Sequence, residues 1–85
     1  MPIKFSKSFT KQYDKAPLEI RRAFDQRLKL FVQNSFHPIL KNHLLRGSYK
    51  GFRSINITGD WRALYKESGD FIIFSALGTH SQLYR

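Results

Sequence analysis

Residues 53–80 read RSINITGDWRALYKESGDFIIFSALGTH, and the hydrophobic pattern changes character within them. Ile55 and Ile57 alternate with Ser54 and Asn56, the period of a strand with one face buried and the other in water. Thr58-Gly59-Asp60 then bends the chain into a second run, Trp61–Lys66. Glu67-Ser68-Gly69-Asp70 has turn composition, and the continuous apolar run Phe71-Ile72-Ile73-Phe74 behind it fits a buried central strand. Short strands joined by tight turns pair with their neighbours, so this stretch predicts an antiparallel meander.

Upstream the period is helical. Ile20, Ala23, Phe24, Leu28 and Phe31 recur at three- and four-residue steps while Arg21, Arg22, Asp25 and Lys29 fall on other faces, which predicts an amphipathic helix lasting to about Gln33. Pro17 suits its first turn. Before it, Ser6 or Ser8 can cap a shorter helix running to Lys15, with Phe9 and Tyr13 one turn apart. Pro2–Phe5 reads as a short opening strand, and Pro38 disfavours helical geometry at His37 and stops the second helix. The expected fold is α+β: an N-terminal strand and a two-helix hairpin packed on a small antiparallel sheet, in the order β-α-α-β-β-β.

Eighty-five residues provide for one domain, 1–85, and 41% hydrophobic with 15% aromatic residues suffices for one core. Fifteen Lys and Arg against six Asp and Glu leave a net charge of +9, which points to a polyanion or an acidic protein as partner. The charge is uneven: residues 1–53 carry twelve of the fifteen cations against Asp14, Glu19 and Asp25. Without cysteine there is no disulfide framework, thiol catalysis or cysteine-ligated zinc, and three scattered histidines make no metal site. No run approaches the roughly 18 apolar residues of a membrane helix, so the expectation is a cytoplasmic protein with no membrane partner and no small-molecule cofactor.

His80 follows Gly78-Thr79 at the mouth of a strand, where an imidazole titrating near neutrality suits acid–base chemistry; a solvated terminal histidine is the alternative. His43 lies in a basic connecting segment, and His37 beside Pro38 reads as structural. Asp60, one of six acids, sits in a turn next to Trp61, either as a base or orienting group or as a turn former. Lys41, Arg46, Lys50 and Arg53 interleave with Tyr49 and Phe52, a pattern of phosphate-binding cations beside rings on which an unpaired base can stack. Such a set suits RNA cleavage without a metal. A base draws the proton from the 2′-hydroxyl, cations stabilise the phosphorane, and an acid protonates the leaving 5′-oxygen, giving a 2′,3′-cyclic phosphate and a 5′-hydroxyl.

The stretches Lys50-Gly51-Phe52-Arg53-Ser54, Gly59-Asp60-Trp61-Arg62-Ala63-Leu64-Tyr65-Lys66 and Gly78-Thr79-His80-Ser81-Gln82-Leu83-Tyr84 together resemble the RelE/ParE toxin superfamily, and within it the YafQ branch. The resemblance implies a toxin of a type II toxin–antitoxin pair that cleaves mRNA in the ribosomal A site and is silenced by a cognate acidic antitoxin. It implies a microbial-RNase-like sheet covered by two helices. Carried over residue by residue, His80 falls on the catalytic histidine, Asp60 on its acidic partner and His43 on a further histidine, with His80 as general acid and Asp60 or His43 as base. Trp61 and Tyr84 match aromatics near the substrate, and Arg46, Lys50 and Arg53 would serve RNA binding. Two positions depart from the pattern: Asn56 stands where relatives have a histidine or arginine, and Ala76 where they have an arginine. The alternatives are a ParE-like inhibitor of DNA gyrase without nuclease activity, or a weakened toxin that binds RNA and cleaves poorly.

Overall fold

In the computed structural model, which describes residues 2–84, strand β1 (Ile3–Phe5) leads through Ser6 into helix α1 (Lys7–Lys15). The Ser6 hydroxyl accepts the Phe9 N–H at 3.0 Å and so satisfies a donor that the first helical turn leaves open. Ala16 leaves the helix in extended geometry, and Pro17, with φ at −53°, opens α2 (Leu18–Gln33). Ile20, Phe24 and Phe31 form the buried stripe of α2, as their spacing predicts. Beyond it, His37 accepts the Ile39 N–H on Nδ1 at 3.2 Å and caps a 3-10 turn over Pro38–Leu40, a structural task.

The rest of the chain builds β2 (His43–Leu44), a 3-10 turn at Gly47–Tyr49, β3 (Arg53–Asn56), β4 (Trp61–Ser68), β5 (Phe71–Thr79) and a terminal helical turn, α3 (His80–Leu83). These strands form one five-stranded sheet in the order β1-β5-β4-β3-β2. The expected three-strand meander is β3 to β5, and β2, a two-residue strand that the order β-α-α-β-β-β leaves out, extends it, every neighbouring pair antiparallel. The sheet as a whole is mixed, because β1 lies parallel to β5 with Ile3 opposite Ile72 and Phe5 opposite Phe74. A parallel pair needs a long crossover, and the helical hairpin supplies the first part of it.

One face of the sheet carries the helices. Ile55, Ala63, Tyr65, Phe74 and Leu77 meet Phe9, Phe24, Phe31 and Leu40 in the core. Phe74 is fully buried at its centre, edge-on to Phe24 at 5.5 Å, and Phe31 stands edge-on to Tyr65 at 5.0 Å. Phe74 and Leu77 both point inward although they are three residues apart. A bulge permits this: Leu64 faces Ala76 while Tyr65 faces Phe74, so Ser75 is an extra residue in β5.

The alternation reading puts Ser54 and Asn56 on a solvated face, yet Ser54 is 0% exposed. The side chains of Phe52, Ser54, Asn56, Arg62 and Leu64 share this second face by register, with the bare Gly78 opposite Arg62. The chain folds back over it: the Tyr49 hydroxyl donates to the Leu83 carbonyl at 2.6 Å, and the Tyr49 ring stands edge-on to both Phe52 (6.2 Å) and Tyr84 (5.8 Å). The second face thus has a cover built by loop and terminus, with an open cleft at its edge.

Candidate active site

The cleft is lined by Lys41, His43, Leu45, Asn56, Arg62, His80 and Tyr84 and has a volume of about 480 Å³. Its two histidines come from opposite ends of the sheet motif. β2 carries His43, paired opposite Ser54, and β5 ends where α3 starts with His80.

His43 is held by two local devices. Asn42 anchors the segment, donating to the Ser35 carbonyl at 2.9 Å and to the Tyr65 hydroxyl at 2.7 Å, and accepting from Arg53 at 3.3 Å. Lys41 adopts left-handed geometry with φ at 47°, and its carbonyl lies 2.8 Å from His43 Nδ1. A carbonyl can only accept, so the neutral imidazole carries its proton on Nδ1 and leaves the Nε2 lone pair free. His43 is thereby prepared to take a proton.

His80 is set by a capping box: the Thr79 hydroxyl accepts the Gln82 N–H at 3.2 Å, and Gln82 Oε1 accepts the Thr79 N–H at 2.9 Å. The His80 N–H donates to the Asp60 carbonyl at 2.9 Å, and its ring packs against Tyr84 with centroids 4.7 Å apart. Gly78 lets the turn sit this close, since a Cβ there would meet Gln82 Oε1 at 3.1 Å and Leu83 at 3.3 Å. The Tyr84 hydroxyl is buried without a hydrogen-bond partner among the described residues.

Arg62 supplies the cation. Its Nη1 donates to the Thr58 and Trp61 carbonyls, each at 3.0 Å, and Nη2 to the Gly59 carbonyl at 3.2 Å. Carbonyls orient the guanidinium without neutralising it, and Nε–H and one Nη2 proton remain for a ligand. Reading β4 by alternation, with Arg62 paired between Asn56 and Gly78, is the signal that would place it on the histidine face. Asn56 lines the cleft in place of a titratable or cationic group, and Lys41 at the rim is the second residue whose role the residue pattern left undifferentiated.

The remaining expected residues lie elsewhere. Asp60 touches His80 through its peptide carbonyl, while its carboxylate is exposed and outside the cleft lining. Trp61 points to the helix-bearing face, beside Gln12, Lys15 and Leu77 in a separate 340 Å³ cavity. Arg53 also leaves from the helix-bearing face, towards Asn42 and over the Phe36 ring at 5.2 Å. Arg46 and Lys50 flank the Gly47–Tyr49 turn, exposed, outside the cleft lining. Tyr49 and Phe52, expected as stacking platforms, are half-buried, with Tyr49 bonded to α3 and Phe52 beneath the Lys66 ammonium at 5.4 Å. Among the described residues no group of three or more His, Cys, Asp or Glu could hold a metal ion. No helix of the described chain is long and apolar enough to cross a membrane.

A helical hairpin packed on one face of a small mixed sheet is the architecture of RelE-like toxins. The chain belongs to the YafQ family of bacterial toxins of type II toxin–antitoxin systems, whose family model matches residues 1–85. It is 37% identical over 59 residues to the mRNA interferase toxin YafQ of Escherichia coli K12, a match that takes in 67% of this chain and 64% of that relative's length. The crystal structure of YafQ from E. coli BL21(DE3) superposes with a TM-score of 0.84 at 25% identity, covering 98% of this chain and 97% of that one. YafQ in the E. coli DinJ–YafQ toxin–antitoxin complex gives 0.80 at 26% identity, covering 98% and 96%.

Proposed function

We propose that this toxin is a ribosome-dependent endoribonuclease that cuts mRNA in the A site by attack of the 2′-hydroxyl on the adjacent phosphate. The observation that carries the reading is the cleft that holds His43 and His80 together with Arg62. His43 Nε2, free because Nδ1 is engaged by Lys41, takes the 2′-hydroxyl proton. The oxygen attacks phosphorus as the bond to the 5′-oxygen breaks, and imidazolium His80 returns a proton to that leaving group. Arg62 stabilises the charge that gathers on the phosphorane oxygens. The products are a 2′,3′-cyclic phosphate and a 5′-hydroxyl.

Asp60 serves this scheme through its carbonyl, which fixes the His80 N–H, with its carboxylate exposed at the same turn. Asn56 offers hydrogen bonds to the RNA, and Arg62 supplies charge in a cleft where Asn56 brings none. Net charge of +9 steers the protein to ribosomal RNA and suits an acidic antitoxin of the kind the DinJ–YafQ complex exemplifies. The test is primer extension on a message during in vitro translation, with wild type, His80→Ala and His43→Gln, and with ribosomes removed. Cuts that need ribosomes and both histidines are the expected result. An intact message in every lane would overturn the nuclease reading and make gyrase supercoiling the next assay.

A further inference from the structure

Resting on that reading, we propose that the RNA track continues past Asn56 into a second subsite, built by Arg27 and Ile39, that holds the nucleotide next to the scissile phosphate. Asn56 is common to the catalytic cleft and to a smaller cavity of about 200 Å³ lined by Arg27, Ile39, Ile57, Thr58 and Gly59. The sheet leaves this route open because β2 pairs only with Arg53 and Ser54. From Ile55 onward the outer edge of β3 has no neighbouring strand among the described residues, and the surface runs from the histidine face round to α2.

The lining offers a partner for each part of a nucleotide, a cation and an apolar surface. Arg27 spends its Nε–H on the Ile57 carbonyl at 3.3 Å, which aims the guanidinium, and Nη1 and Nη2 have no partner among the described residues. A half-buried, oriented guanidinium with free donors seeks paired acceptor oxygens, on a phosphate or on the edge of a base. Ile39 is 46% exposed at the same cavity, an apolar surface for the face of a base. Gly59 brings bare backbone to the wall, and the Thr58 and Gly59 carbonyls are two of the three that clamp Arg62. Occupancy of the subsite therefore bears on the turn that orients the catalytic cation.

The experiment is a cycle of variants against substrates on programmed ribosomes, reading kcat/KM for cleavage. The proteins are wild type, Arg27→Gln, and Lys29→Gln, which removes the same charge from an exposed position of the same helix. The messages carry, at each nucleotide flanking the cut in turn, either the natural unit, an abasic unit or a methylphosphonate linkage. Arg27→Gln should lose roughly tenfold to hundredfold, mainly through KM, and Lys29→Gln should stay within about threefold. On one flanking position the substrate change should cost wild type a similar factor and cost Arg27→Gln almost nothing further. Coupling to the abasic unit assigns the contact to the base, coupling to the methylphosphonate assigns it to the phosphate, and either supports the subsite. Independent, multiplying losses would overturn it, as would a wild type indifferent to both substrate changes, a comparison that needs no variant to fold. If wild type cuts no message at all, the nuclease reading itself has failed and the subsite falls with it.

Discussion

Gly78→Ala puts a methyl group where α3 sits on the sheet. The new Cβ would lie 3.1 Å from Gln82 Oε1 and 3.3 Å from two carbons of Leu83, closer than ordinary van der Waals contact. Gln82 can retreat only by stretching its bond to the Thr79 N–H, which it accepts at 2.9 Å, and complete loss of a cap would cost about 1 kcal/mol. Leu83 is 7% exposed and has little room, and overpacking of this kind costs about 1–3 kcal/mol. The sum is about 1–4 kcal/mol, and its lower end corresponds to a fall in Tm of about 4–8 °C for a domain of this size. Because α3 begins with His80, a shift of a few tenths of an ångström moves the proposed acid and should slow cleavage, a full 1 Å being worth about a hundredfold in rate. Melting by circular dichroism and cleavage at 25 °C on programmed ribosomes read the two effects separately. Gln82→Ala removes the nearest clash along with the cap, so the double variant should lose less than the sum of the singles. A Gly78→Ala protein with Tm within 2 °C of wild type, on the roughly 4–8 °C per kcal/mol scale, and an unchanged rate would refute the tight seating of α3.

His43→Gln should lower kcat by about 10²–10⁴-fold in single-turnover cleavage, and nitrogen NMR of the wild type at high pH should find the His43 proton on Nδ1. Tyr65 titrates above its ordinary value of 10.0 because burial penalises the phenolate, so the stability it contributes is present below pH 10 and is lost as the pH rises above it. Urea melts from pH 8 to 11.5 should show a shallower alkaline fall in Tyr65→Phe, and equal slopes would remove the argument. Phe74→Ala empties the centre of the core and should cost about 3–5 kcal/mol, most of the stability of a small domain. Its far-ultraviolet dichroism should be largely lost at 37 °C, and a native melt would contradict the packing.

Local chemistry is what residue order reports well. Ser6 and Pro17 announce the helix starts, the three- and four-residue spacing of Ile20, Phe24 and Phe31 announces the buried stripe, and the turn residues around Gly59 and Gly69 divide the strands. Each follows from interactions within a few residues, so the helical hairpin and the meander were legible. His43, His80 and Tyr84 were nominated by residue type and by resemblance, and all three line the cleft.

Tertiary structure decided the rest. Parallel pairing of β1 with β5 is a contact between the two ends of the chain, which no local period encodes. The bulge at Ser75 breaks period two and turns both Phe74 and Leu77 inward. Arg53 and Arg62 look alike as basic strand residues, yet register turns Arg62 to the histidine face and Arg53 to the helical one, because alternation acts on a sheet whose two faces differ only once the helices have packed. The amino-acid sequence by itself determined which titratable groups this protein has and where its helices and turns begin. Which of those groups share one cleft, and which tautomer His43 holds, depended on contacts between residues distant in the chain or on a backbone carbonyl whose position only the folded loop defines.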